Sequence, residues 1–107
     1  MSLDAYLSVT GTVEVYASNI THNLGDMAKA AGIYEHLWRP DEIGITKAHQ
    51  LIEPLTEGLA RLLADPGKFE KLNPENGYGS YYDLCEFVRK YIAACAINPD
   101  ACVDVSR

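Results

Sequence analysis

The sequence predicts an α+β domain, helix-dominated, in which four to five helices pack on a small, mostly antiparallel sheet formed by the N- and C-terminal strands. Three observations carry this expectation: period-two alternation near the start, apolar residues at helical spacing through the middle, and a short β-branched run at the end. Short isolated strands leave backbone polar groups unpaired, so strand segments at the two extremities of a helical chain are expected to pair with each other.

From Leu7 to Ala17 the odd positions are Leu, Val, Gly, Val, Val and Ala, and the even ones Ser, Thr, Thr, Glu and Tyr, the pattern of a half-buried strand. Its strongest part is Val13 to Tyr16. Gly11 interrupts it as a bulge or a tight turn, which leaves one long strand and a hairpin both open across residues 5–17.

Asn19 to Asn23 reads as a polar loop. Leu24, Met27, Ala28, Ala31 and Leu37 then recur at helical spacing, with Thr21 or Asn23 as cap and Asp26 in the first turn. Gly32 breaks that helix, Ile33 to Trp38 adds a turn or two, and Pro40 disfavours helical geometry at Arg39.

Thr46 is the expected cap of a third segment, whose stripe is Ala48, Leu51, Ile52, Leu55, Leu59, Leu62 and Leu63. Pro54 removes a donor inside it, predicting a kink or a break at Glu53. Asp65-Pro66 starts a short helix through Leu72, and Asn73 to Gly79 is the clearest loop. Ser80 with Asp83 resembles a capping box before the amphipathic run Leu84, Phe87, Val88, Tyr91, Ile92 and Cys95, where Glu86 is expected to pair with Lys90. Asn98-Pro99-Asp100 stops it, and Cys102, Val103 and Val105 suggest a final strand.

With 107 residues, 48% hydrophobic and 22% charged, the chain has the size and composition of a single domain spanning 1–107. A formal charge of −6 without a local basic patch opposes binding to nucleic acid and to anionic membranes. No apolar run is long enough to cross a bilayer, and Met1-Ser2-Leu3-Asp4 lacks the layout of a secretory leader. Three cysteines without close pairing, Cys85, Cys95 and Cys102, fit reduced thiols, so a cytoplasmic setting is expected.

Three segments are candidates for chemistry. Asn19-Ile20-Thr21-His22-Asn23 runs from strand into helix, where free backbone N–H groups favour an anion. There His22 is the candidate acid, base or donor, with Asn19, Thr21 and Asn23 as hydrogen-bonding groups. The plainer alternative is that Thr21 and Asn23 only cap the helix. Tyr34-Glu35-His36-Leu37-Trp38-Arg39 is a candidate binding wall, with Tyr34 or Trp38 stacking a flat ligand, Glu35 and His36 nearby, and Arg39 gripping a carboxylate or phosphate. Against it stands burial of Tyr34 and Trp38 in the core or a subunit contact, with Arg39 pairing Glu35 or Glu42. Asn76-Gly77-Tyr78-Gly79-Ser80 could approach a ligand through its glycines, but reads more simply as a turn, with no Walker ending and no preceding strand.

The cysteines and histidines form no zinc motif, no serine elbow is present, and the thiols sit in apolar patterns, so no metal, cofactor or reaction class is indicated.

The run Ile20-Thr21-His22-Asn23-Leu24-Gly25, followed by Met27-Ala28, Ala31 to Tyr34 and Leu37-Trp38-Arg39-Pro40, resembles a small family of uncharacterised bacterial and phage-borne proteins. Asn76 to Tyr81, Pro99-Asp100 and Val105-Ser106-Arg107 fit the same pattern. The resemblance implies a prokaryotic or phage setting and carries no catalytic or binding residue with it. Met1-Ser2-Leu3 reads as an appendage to the domain.

Two functions follow as expectations. The first is a non-enzymatic binding or interaction module, a homodimer in one form, that uses the Trp38 region or an open strand edge. The second is a small enzyme acting on an anionic or polar metabolite, with His22 as acid or base and Arg39 as clamp.

Overall fold

A computed structural model describes residues 1–10 and 12–107. Strands β1 (Ser2–Val9) and β2 (Val13–Thr21) form a hairpin, and β3 (Cys102–Ser106) lies antiparallel on the other side of β1, in the order β2-β1-β3. Between β2 and β3 run a 3-10 turn (His22–Leu24), α1 (Gly25–Ala30), α2 (Tyr34–Trp38), a second 3-10 turn (Pro40–Ile43), α3 (His49–Ala64), α4 (Pro66–Glu70) and α5 (Tyr81–Ile97). The two ends of the chain are thus backbone-paired, as expected, with Ala5 opposite Val105 and Leu7 opposite Val103.

The helices cover one face of the sheet. Leu3, Ala5 and Leu7 of β1 are fully buried against Leu51, Leu55, Leu84 and Val88 in a single core. Leu3 is therefore part of the domain and not an appendage. Among the described residues, no helix is long and apolar enough to cross a membrane.

The N-terminal alternation resolves into two strands, with a change of phase that the sequence does not announce. Leu7 pairs with Tyr16 and Ser8 with Glu14, which leaves Val15 as an unpaired bulge residue. Odd positions point inward in β1, whereas Tyr16, Ser18 and Ile20 point inward in β2. Val13 and Val15, expected on the buried face, are instead 54% and 40% exposed. The expected bulge or turn at Gly11 lies outside the described residues.

Three further expectations are corrected. Thr46 does not cap α3: the Gln50 side chain reaches back to accept from the N–H groups of Thr46 and Lys47, each at 2.8 Å. The N–H groups of Ala48 and His49 are taken by the carbonyls of Ala101 and Pro99, so the start of α3 is tied to the start of β3. Of the two outcomes expected at Pro54, a kink or a break, the break does not occur, because the proline removes only the bond to the Gln50 carbonyl while the buried stripe Leu51, Leu55, Leu62 continues through it. Glu86 pairs with Arg89, one turn away, at 2.7 Å, and not with Lys90. The caps at Asp65 and Ser80 form as expected, accepting from Lys68 and Asp83 N–H groups.

Candidate functional site

Antiparallel pairing decides which residues meet. Ser2 sits opposite Thr21, and Asp4 opposite Ser106, so the end of β2, the start of β1 and the end of β3 lie side by side. His22 and Arg107, at opposite ends of the sequence, are therefore delivered to the same corner of the molecule.

At that corner β2 does not yield to a loop at Asn19 but runs through Thr21. The Asn19 amide, expected to face a ligand, donates to Ser2 Oγ at 2.7 Å and Asp4 Oδ1 at 2.9 Å as a cross-strand tie. Thr21 Oγ1 accepts from the Asn23 N–H and caps the 3-10 turn. Asn23, the other expected cap, turns its side chain outward to donate to Asn76 Oδ1 at 3.3 Å and the Tyr78 carbonyl at 3.2 Å. The segment Asn76 to Ser80 thus docks onto the turn. Gly79, at φ +91°, permits the approach, since a Cβ there would stand 2.6 Å from Thr21 Cγ2.

His22 meets the second candidate segment. The Trp38 indole Nε1 donates to His22 Nδ1 at 2.8 Å, and Trp38 itself is only 3% exposed. Because an indole N–H can only donate, it occupies the lone pair at Nδ1, and the ring proton of neutral His22 is placed on Nε2. Tyr34 lies one helical turn from Trp38 and stacks on it at 5.3 Å and 10°. The Lys29 ammonium sits 4.7 Å from the centre of the Tyr34 ring. Trp38 is thus a core residue, and Tyr34, half-buried at the cleft, already carries an aromatic neighbour and a cation.

Arg39 pairs with Glu42 at 2.8 Å, and Glu42 first, then the Tyr34 hydroxyl, push its pKa above the ordinary value. Glu35 and His36 do not join the site. His36, two residues on from Tyr34, projects to the opposite side of the helix; Glu35 is exposed to solvent, and burial holds His36 below its usual pKa, opposed by Glu35 and reinforced by Arg61.

Two clefts flank the His22–Asn23 ridge. The smaller, about 520 Å³, is bordered by Asp26, Lys29, Tyr34, Arg39 and Arg107. Arg107 Nη1 donates to the Trp38 carbonyl at 3.0 Å and to Asp41 Oδ1 at 3.1 Å, a contact that lowers the Asp41 pKa. The larger, about 890 Å³, lies toward α5 between Ile20, Leu24, Phe87, Tyr78 and Tyr82. The three candidate segments, with His22 lying 16 residues from Trp38 and Asn23 lying 53 from Asn76, therefore surround one ridge.

Two cations of the smaller cleft escape sequence reasoning. Lys29 has a faint signal, falling on the same side of α1 as Gly25 and Asp26. Arg107 has none, since only the sheet register brings it there. Among the described residues, no group of three or more His, Cys, Asp or Glu side chains is placed to hold a metal ion. The lining of the smaller cleft holds three cations, the Asp26 carboxylate, the Tyr34 hydroxyl and the amide of Asn23, and so offers mainly hydrogen-bond donors and positive charge. No protein-family model, curated protein or solved structure matches the chain.

Proposed function

We propose that this chain is a small binding module that takes an anionic group, phosphate or carboxylate, in the cleft beside the His22–Trp38 pair. One observation carries the reading: Lys29, Arg39 and Arg107, three of only nine basic residues in a chain of net charge −6, line a single cleft with His22. Local charge of that sign is what recruits an anion against an unfavourable overall field. Glu42 and Asp41 each take one edge of a guanidinium, and the remaining donors of Arg39 and Arg107 stay available. Exposed pairs of this kind hold their partners weakly, so an incoming dianion can compete for them.

The same geometry weighs against the enzyme reading. With Nδ1 engaged by Trp38 and Nε2 carrying the proton, neutral His22 presents a donor and no free lone pair to a substrate. It serves better as a fixed hydrogen-bond donor to an anion than as a base.

Thermal unfolding in inorganic phosphate, at ionic strength matched with sodium chloride, tests the proposal. Stabilisation that grows with the logarithm of phosphate concentration is expected for the wild type, because the ligand binds only the folded state. Arg39→Gln should diminish it. Equal melting temperatures in phosphate and chloride would count against the reading.

A second reading concerns self-association. Beyond the Val15 bulge, Tyr16 to Thr21 forms a regular edge whose outer side pairs with no strand among the described residues and which contains no Lys, Arg or Pro. Antiparallel pairing of this edge with a second copy would make a homodimer. It predicts a mass that rises with concentration in sedimentation; a monomer throughout the millimolar range would remove it. A cytoplasmic location is supported by the free thiols Cys85, Cys95 and Cys102, and a bacterial or phage setting by the resemblance in sequence.

A further inference from the structure

We infer that the ligand has two parts, an anionic head and an aromatic body, and belongs to the class of phosphate monoesters that carry an aromatic ring; this rests on the anion-binding reading and extends it to the neighbouring cleft.

The two clefts are separated only by His22 and Asn23, which line both. Their chemistry differs. The smaller gathers Lys29, Arg39 and Arg107 against Asp26, whereas the larger carries Asp83 and Glu86 against Lys90 and so does not favour an anion. The larger is lined by both polar and apolar groups, with Ile20, Leu24 and Phe87 as its buried apolar members, against which an uncharged ring could lie. Its rim carries Tyr78 and Tyr82, 71% and 69% exposed, and neither ring packs on another aromatic among the described residues. Two rings held open beside these apolar side chains offer a stacking surface.

The wall bearing Tyr78 is fixed before any ligand arrives. Asn23 bridges to Asn76 and to the Tyr78 carbonyl, Asn76 Oδ1 also accepts from the Tyr78 N–H at 3.0 Å, and Gly79 is packed against Thr21. A ligand that bridges both clefts therefore meets a preformed surface and pays little ordering entropy. Lys29 together with the guanidinium donors that Glu42 and Asp41 leave free on Arg39 and Arg107 matches a dianionic phosphate better than a monoanionic carboxylate.

The test compares inorganic phosphate, phenyl phosphate and adenosine 5′-monophosphate by calorimetric titration of the full chain, as wild type, Tyr82→Ala and Tyr78→Ala. Both tyrosines are exposed, so the variants should fold. At least one of the two ring-bearing phosphates is expected to bind about tenfold tighter than inorganic phosphate, the scale of one ring stacked on an aromatic side chain. That gain should vanish in Tyr82→Ala or Tyr78→Ala, while the Kd for inorganic phosphate stays the same. If phosphate binds but neither ring-bearing phosphate binds more tightly, or if the gain survives both substitutions, the two-part ligand is wrong and the anion site stands. If none of the three binds, the anion site itself fails.

Discussion

Trp38 Nε1 donates to His22 Nδ1 across 2.8 Å, joining the 3-10 turn that follows β2 to the last turn of α2. This bond ties the site to the core, because Trp38 is buried whereas His22 faces both clefts. Replacing His22 with Ala leaves the indole N–H without its acceptor, at a cost of about 1–3 kcal/mol for an unsatisfied buried donor. Urea denaturation of His22→Ala, Trp38→Phe and the double variant measures the coupling. The double variant should lose less than the sum of the singles, and strict additivity would mean that the bond contributes nothing.

A second prediction reverses the sign that helix propensity gives. Gly58 lies inside α3, where a Gly→Ala change ordinarily stabilises by about 1 kcal/mol. Here an added Cβ would run into the Cγ2 methyl of Ile33, a fully buried residue between α1 and α2. Overpacking of this kind costs about 1–3 kcal/mol, so Gly58→Ala should lower the melting temperature. Ile33→Ala should be less damaging in the Gly58→Ala background than alone. A Gly58→Ala protein at least as stable as the wild type would refute the packing described for these helices.

Tyr91 and Cys95 make a prediction about alkali. The Tyr91 ring is fully buried, stacked on Tyr16 at 5.9 Å, and its hydroxyl has no protein partner. Tyr91→Phe should therefore hold or raise stability at neutral pH, since it removes a buried polar group that carries a desolvation penalty of about 1–3 kcal/mol. Burial pushes the Tyr91 phenol upward, and pushes the Cys95 thiol from 9.0 to about 12. Each group keeps its proton in the folded chain at pH values where the unfolded chain loses it. Stability is thus complete below the unfolded pKa and falls as pH rises, from about 9 toward 12 for Cys95 and from about 10 upward for Tyr91, by about 1.4 kcal/mol per pH unit for each group. Cys95→Ala and Tyr91→Phe should each flatten the decline measured by urea denaturation across that window. Identical slopes in wild type and variants would show that these groups titrate alike in both states.

The architecture was legible because periodicity is a local property. The runs around Leu51 and Leu84 and the stops at Gly32, Pro40 and Asn98 carry their meaning within a few residues. Strand phase in β2 was not, since Val15 bulges only because of how β1 pairs across from it. The site divides in the same way. His22, Asn23 and Arg39 stand out as polar groups beside helix starts and stops, and all three border the smaller cleft. His36 lies two residues from Trp38 in sequence, but helical geometry turns it to the other side, and Glu35 faces solvent. Arg107 is invisible locally and is placed by the Asp4–Ser106 register.

The central claim is that the cleft beside His22 and Trp38 binds an anion, and the indole N–H of Trp38 reports on it directly because the chain has one tryptophan. A titration with inorganic phosphate at constant ionic strength, followed by the single indole cross-peak in a nitrogen–proton NMR correlation spectrum, reads the site without a substrate. A saturable shift of that peak, weakened in both Lys29→Gln and Arg39→Gln, is the predicted result. A peak that stays still, or that moves identically in the wild type and both variants, would contradict the account.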